Sequence, residues 1–126
     1  MPALQLFRVI LPVGDLDAAV AFYAHVLATP GARVSPGRHY FDCGGTILAC
    51  YDALADGDPE AVRPNPQYVY FAVDDLEAAY GRARTAGCSE LDGIDVQPWG
   101  ERSFYARDPF GNPICFVDSA TRFTPW

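Results

Sequence analysis

The segment VGDLDAAVAFY, Val13 to Tyr23, returns 60 residues later as VDDLEAAYGRA, Val73 to Ala83, and each copy is accompanied by aromatic-rich apolar runs. Two similar halves packed around a pseudo-twofold axis are expected to leave a concave space between them, and the side chains lining that space decide the chemistry. A half of about 60 residues would be marginal by itself. The 126 residues are therefore expected to form a single domain, 1–126, in which two repeats share a core.

Charge and composition exclude several classes of function. The net charge is −7 and the nine Lys and Arg residues are scattered among 16 acids, so the clustered cations that phosphate backbones require are missing and nucleic acid is not an expected partner. No apolar run approaches the roughly 18 residues needed to span a bilayer, and the first residues show no basic stretch leading into a signal-like apolar core. A soluble, cytoplasmic protein without a membrane partner is the expectation. Cys43, Cys50, Cys88 and Cys115 form no CxxC pair, which leaves them as small buried hydrophobes rather than zinc or redox ligands.

Each half reads as βαβββ, an α+β arrangement. Leu4 to Val13 has strand character, Asp15 is placed to cap a helix running to about Leu27, and Thr29-Pro30-Gly31 stops it. Strands are predicted over 32–35, 38–42 and 46–51, punctuated by Pro36-Gly37 and Gly44-Gly45. Residues 53–66, with three prolines, suit an exposed linker between repeats at about 1–52 and 67–118. The second half repeats the pattern: a strand over 67–73, a helix capped by Asp75 and ended by Gly87, and strands over 89–96, 102–107 and 113–118, with Asp108-Pro109-Phe110-Gly111-Asn112 as a tight turn.

The paired V-x-D-L-x-A-A helix starts and the DPFGN turn before the last strand resemble the vicinal oxygen chelate superfamily, which includes glyoxalase I, extradiol dioxygenases, fosfomycin-modifying enzymes and bleomycin-resistance binding proteins. The resemblance spans nearly the whole chain. PWGER and SFYARDPFGN look most like the resistance-protein and fosfomycin-enzyme branches. It implies two βαβββ modules forming a curved mixed sheet around a cavity, helices on the outer face, and a homodimer.

Catalytic members of that superfamily hold a metal with His or Gln on the first strand of each half and Glu on the closing strand. Counting back from Asp15 and Asp75 places Arg8 and Tyr68 at the first-strand positions, and Cys115 and Leu48 fall at the closing-strand positions. None is a usual ligand, and a guanidinium would repel a divalent ion, so no metal and no other cofactor is expected. His25 and His39 are the only histidines.

Strand alternation puts Leu6, Arg8 and Ile10, then Thr46, Leu48 and Cys50, then Tyr68, Tyr70 and Ala72, and finally Ser103, Tyr105, Cys115 and Val117 on the concave side. The opposite set, Phe7, Val9, Leu11, Val69, Phe71, Val73, Ile114 and Phe116, is apolar throughout and is expected to pack under the helices. In the fosfomycin-enzyme branch a Ser and a Tyr matching Ser103 and Tyr105 contact the drug, and Trp99 lies where loops border the cavity mouth. Arg8 is either an anchor for an anionic or carbonyl-bearing ligand or half of an internal ion pair with Asp42, Glu101 or another acid. Tyr68, Tyr70 and Tyr105 either stack on a planar ligand or belong to the core.

Three functions fit. The first is metal-free binding of a small molecule through Arg8, Leu48, Tyr68, Tyr70, Trp99, Ser103, Tyr105 and Cys115. The second is a lyase, transferase or dioxygenase-like enzyme with a non-standard site, using shifted metal ligands such as His39, Asp42 or Glu101, or Tyr68, Tyr105 or Cys115 as acid–base groups. The third is a module that dimerises and serves a partner protein.

Overall fold

The first half owes its shape to a helix that starts sharply and buries one stripe. In the computed structural model, which describes residues Ala3–Trp126, Asp15 is extended at φ −151° and its carboxylate accepts from the Ala18 amide at 3.1 Å, capping helix α1, Leu16–Val26. Leu16, Ala19, Phe22, Tyr23 and Val26 are buried at helical spacing. The helix ends at Leu27, and Ala28 takes the left-handed conformation at φ 55°. Glycine adopts that conformation more cheaply, and the second helix reaches it one position earlier, at its C-cap Gly87, φ 90°.

The chain divides into two compact units after Pro64. The first holds β1 (Arg8–Pro12), α1, β2 (Ala32–Ser35), β3 (Arg38–Cys43) and β4 (Thr46–Tyr51), in a mixed sheet of order β1-β4-β3-β2. The β1–β4 pair is parallel and the other two are antiparallel. The second holds β5 (Val69–Val73), α2 (Leu76–Ala86), β6 (Glu90–Leu91), β7 (Asp95–Val96), β8 (Arg102–Arg107) and β9 (Pro113–Asp118). Its order is β5-β9-β8-β6, with β7 also pairing β8 and with β5–β9 parallel. Both units are thus βαβββ, and the second strand of the second unit is broken at Asp92-Gly93-Ile94 instead of running through 89–96.

In each unit the helix covers one sheet face. Tyr23 meets Phe41 in the first unit at 6.4 Å between ring centroids. In the second, Phe71, Phe116 and Phe104 stack across β5, β9 and β8 at 5.0 and 5.1 Å, and Tyr80 of α2 meets Phe104 edge-on. Leu11, Phe71, Ile114 and Phe116 are buried under the helices as expected. Phe7 is not: regular pairing begins only at Arg8, and Phe7 is 58% exposed. The segment at 52–58 also departs from the exposed linker read from sequence. Ala53 is buried, and the Asp56 carboxylate accepts from Ser35 Oγ at 2.6 Å, the Gly37 amide at 3.0 Å and Arg38 Nε at 3.1 Å. This fastens the segment over the β2–β3 turn, and ordinary polar residues are enough to do it.

The DPFGN turn is a polar knot. Asp108 is fully buried, and its carboxylate accepts from the Phe110 amide, the Asn112 amide and Asn112 Nδ2, each at 2.9 Å. Asn112 Oδ1 in turn accepts from the Asn65 amide at 2.8 Å. Removing that carboxylate strands buried donors, so Asp108→Ala is expected to cost about 3 kcal/mol in urea unfolding. A loss below about 0.5 kcal/mol would show that the knot is not a stabilising element.

Candidate functional site

Strand register assigns every side chain to the helix face or the open face. In the first sheet Val9 pairs with Leu48, Leu11 with Cys50 and Phe41 with Leu48, so these residues share the helix face. Leu48 therefore lies in the core at 2% exposed, not on the ligand side, and Thr46 and Cys50 follow it. The open face carries Arg8, Ile10, Ile47, Ala49 and Tyr40 instead. The register also shows why counting failed. The residue matching Cys115 is Ala49, because Ala49 pairs with Ile10 as Cys115 pairs with Tyr70. Gly44-Gly45 closes a two-residue hairpin between Cys43 and Thr46, whereas five residues separate Arg107 from Pro113, and a one-residue slip inverts every face.

Arg8 is exposed. Its guanidinium lies 4.8 Å from the Phe7 ring centroid and 5.1 Å from that of Tyr40, a residue the sequence did not single out. Among the described residues no carboxylate reaches it. Asp42 accepts from the Gly45 amide at 2.8 Å, and Glu101 accepts from Trp99 Nε1 at 2.7 Å and the Phe123 amide at 2.9 Å. The internal ion pair considered for Arg8 is thus absent among the described residues, and its cation remains available to an anion.

On the second unit the open face follows the predicted alternation. Tyr70, Cys115 and Tyr105 lie side by side across β5, β9 and β8, and Ser103 precedes Tyr105 by one strand period. Tyr68 completes a cluster. Its ring is 5.0 Å from Tyr105 and 6.3 Å from Tyr70, and Tyr70 is 6.4 Å from Tyr105, with both contacts to Tyr105 near perpendicular. Tyr70 is 57% and Tyr68 37% exposed, whereas Ser103 and Cys115 beneath are buried. Trp99 is exposed on the loop before β8, with its indole held by Glu101 and no ring contact to the tyrosines among the described residues.

Burial dominates the electrostatics of this face. It pushes the Cys115 thiol up to about 11, against hydrogen bonding from Ser103; the Glu101 charge adds to the rise and hydrogen bonding from Tyr105 opposes it. Burial, then hydrogen bonding with Tyr70, pushes the Tyr105 phenol up to about 12. Both groups are neutral protonated donors at physiological pH, and neither serves as a resting base or nucleophile. Gln97 Nε2 donates to Ser103 Oγ at 3.2 Å and steadies that hydroxyl from the neighbouring loop.

The metal of the superfamily finds no fitting donors. Its positions hold a guanidinium, a methyl group, a phenol and a buried neutral thiol at Arg8, Ala49, Tyr68 and Cys115. Among the described residues no three His, Cys, Asp or Glu side chains converge. His39 lies on the helix face with a ring nitrogen 2.9 Å from the Pro30 carbonyl, and His25 is exposed on α1.

Residues 5–116 match the Glyoxalase/Bleomycin resistance protein/Dioxygenase superfamily. The chain belongs to that superfamily. It is 34% identical over 103 residues to the metallothiol transferase FosB of Shouchella clausii, an alignment covering 79% of this chain and 70% of the relative. A lactoylglutathione lyase from Agrobacterium tumefaciens is 26% identical and superimposes with a TM-score of 0.69 over 93% of this chain and 95% of that one. A glyoxalase-related enzyme from Fulvimarina pelagi shares the fold at a TM-score of 0.74 and 22% identity, covering 90% of this chain and 86% of its own. No helix among the described residues is long and apolar enough to cross a membrane.

The raised thiols carry a pH signature. The neutral forms of Cys115 and Cys88, both pushed up to about 11, are favoured by the fold. Stability from these groups is fully present below the ordinary thiol range near 9 and is lost as pH rises from there through about 11. Urea midpoints are expected to hold steady from pH 7 to near 9 and then fall, and Cys115→Ala is expected to blunt the fall. An identical decline in the variant would remove Cys115 as a cause.

Proposed function

We propose that this protein binds a planar small molecule on the open face of its second sheet without a metal ion. The observation that carries this reading is the tyrosine cluster at Tyr68, Tyr70 and Tyr105, set above the buried hydroxyl and thiol of Ser103 and Cys115. Aromatic rings left in solvent on a sheet face offer stacking surface at low entropic cost, and the hydroxyls add directional contacts. The open face of the first unit, taken by itself, presents Arg8 beside Phe7 and Tyr40 as a contact for an acidic group. Leu48 has no part in this, and Trp99 is a peripheral contact.

The metallothiol transferase and the lactoylglutathione lyase are both named for chemistry on small molecules, which supports a ligand of that size. The donor positions support binding without metal. An enzymatic reading would need a base other than Tyr105 or Cys115, since both hold their protons well above neutral pH.

Amide NMR titration of EDTA-treated protein with a panel of aromatic carboxylates tests the proposal. Saturable shifts are expected at β5, β8 and β9, with Tyr70→Ala weakening binding by about tenfold, the scale of one stacking contact. A panel that leaves those strands unmoved, or binding that appears only when metal is restored, overturns it.

A further inference from the structure

The chain contains two Asp-Gly pairs, Asp56-Gly57 and Asp92-Gly93, and the fold treats them in opposite ways. An aspartyl carboxyl followed by glycine is open to attack by the glycine's own amide nitrogen, because no side chain on that residue shields the nitrogen or restricts the rotation that brings it to the carboxyl carbon. A folded chain prevents the reaction by occupying either partner.

At Asp56-Gly57 both partners are occupied. The carboxylate accepts from Ser35 Oγ at 2.6 Å, the Gly37 amide at 3.0 Å and Arg38 Nε at 3.1 Å, and the Gly57 amide donates to the Leu54 carbonyl at 3.1 Å. These donors, Ser35 foremost, hold the Asp56 pKa below the ordinary carboxylate range, which depletes the protonated acid that must lose water.

At Asp92-Gly93 both partners are open. β6 ends at Leu91 and β7 begins at Asp95, so residues 92–94 lie between the two short pairings. The chain leaves β8 at the Asp92 amide, which donates to the Tyr105 carbonyl at 2.9 Å, just before the bonds that must turn. Asp92 and Gly93 are exposed, and among the described residues no hydrogen bond or ion pair engages the Asp92 carboxylate or the Gly93 amide. A methyl group at Gly93 would meet no atom beyond its chain neighbours within 4 Å, so the space around this peptide is clear.

We propose that Asp92-Gly93 is a site of spontaneous aspartate isomerisation. The Gly93 nitrogen bonds to Asp92 Cγ and gives up its proton, and a carboxyl oxygen departs as water, which closes a succinimide ring. Water that opens the ring at Cγ restores aspartate. Water that opens it at the Asp92 main-chain carbonyl leaves Gly93 attached through Cγ, an isoaspartate with one more carbon in the backbone. That carbon falls between the pairings of β6 and β7 with β8, the strand that carries Tyr105 and Ser103, so the modification alters the edge of the second sheet.

The test is to age the folded protein in neutral buffer and to map its tryptic peptides by electron-transfer fragmentation, which tells the two isomers apart and places them. The pairs fall in separate peptides, one ending at Arg102 and the other beginning at His39. Isoaspartate is expected to accumulate at Asp92 and at least about tenfold more slowly at Asp56, the scale of the hydrogen bonds that must first break. In guanidinium the unfolded chain is expected to convert both pairs at similar rates. Gly93→Ala is expected to slow the reaction about fivefold through restricted backbone rotation, and its native amide spectrum checks its fold. Equal rates at the two pairs of the folded protein, an Asp92 that stays intact while the unfolded chain converts, or an unchanged rate in the variant overturns the assignment.

Discussion

A helix can cover only one face of a sheet, and everything available for chemistry in this protein follows from which residues are left on the other. Each unit lays its first strand parallel to its last, β1 on β4 and β5 on β9, and hangs one helix over the pair. Because side chains alternate strictly along a strand, that pairing sorts the sequence into a packed set and an open set with no intermediate choice. Val9, Leu48 and Phe41 go one way with Arg8, Ala49 and Tyr40 the other, and Phe71, Phe116 and Phe104 are separated from Tyr70, Cys115 and Tyr105 by the same rule.

The open faces that result differ in character. The first presents a guanidinium held over two rings and lacking a counter-ion among the described residues. The second presents three phenols over a serine and a thiol, with burial keeping Cys115 and Tyr105 protonated. Neutral hydroxyls and rings bind by stacking and hydrogen bonding, and they do not offer the anionic oxygens and free imidazoles on which a divalent ion depends. The superfamily's fold is retained here while its usual donor chemistry is replaced.

Much of this was legible in the sequence where the signal is local. Asp15 and Asp75 cap helices from three residues away, so both helices were predicted to within a residue or two. The alternation within Tyr68–Val73, within Ser103–Arg107 and within Pro113–Asp118 marks the second open face, because none of these stretches crosses a turn. Leu48 failed for the opposite reason: its placement was carried across a hairpin whose length differs between the repeats. Tyr40 escaped notice because its contact with Arg8 passes over β4. The interior role of Asp108 escaped too, since a carboxylate in a turn gives no hint that Asn65, 47 residues away from Asn112, will close over the same knot. Asp92 was hidden in what resembled an unbroken strand.

The central claim is that replacement of the donor positions leaves a site that works without metal. Its most direct test is elemental analysis of protein incubated separately with manganese, nickel, cobalt or zinc and then dialysed. The account predicts far less than a full equivalent of any metal per chain. Near-stoichiometric retention of one of them would contradict it, and would mean that donors other than Arg8, Ala49, Tyr68 and Cys115 build the site.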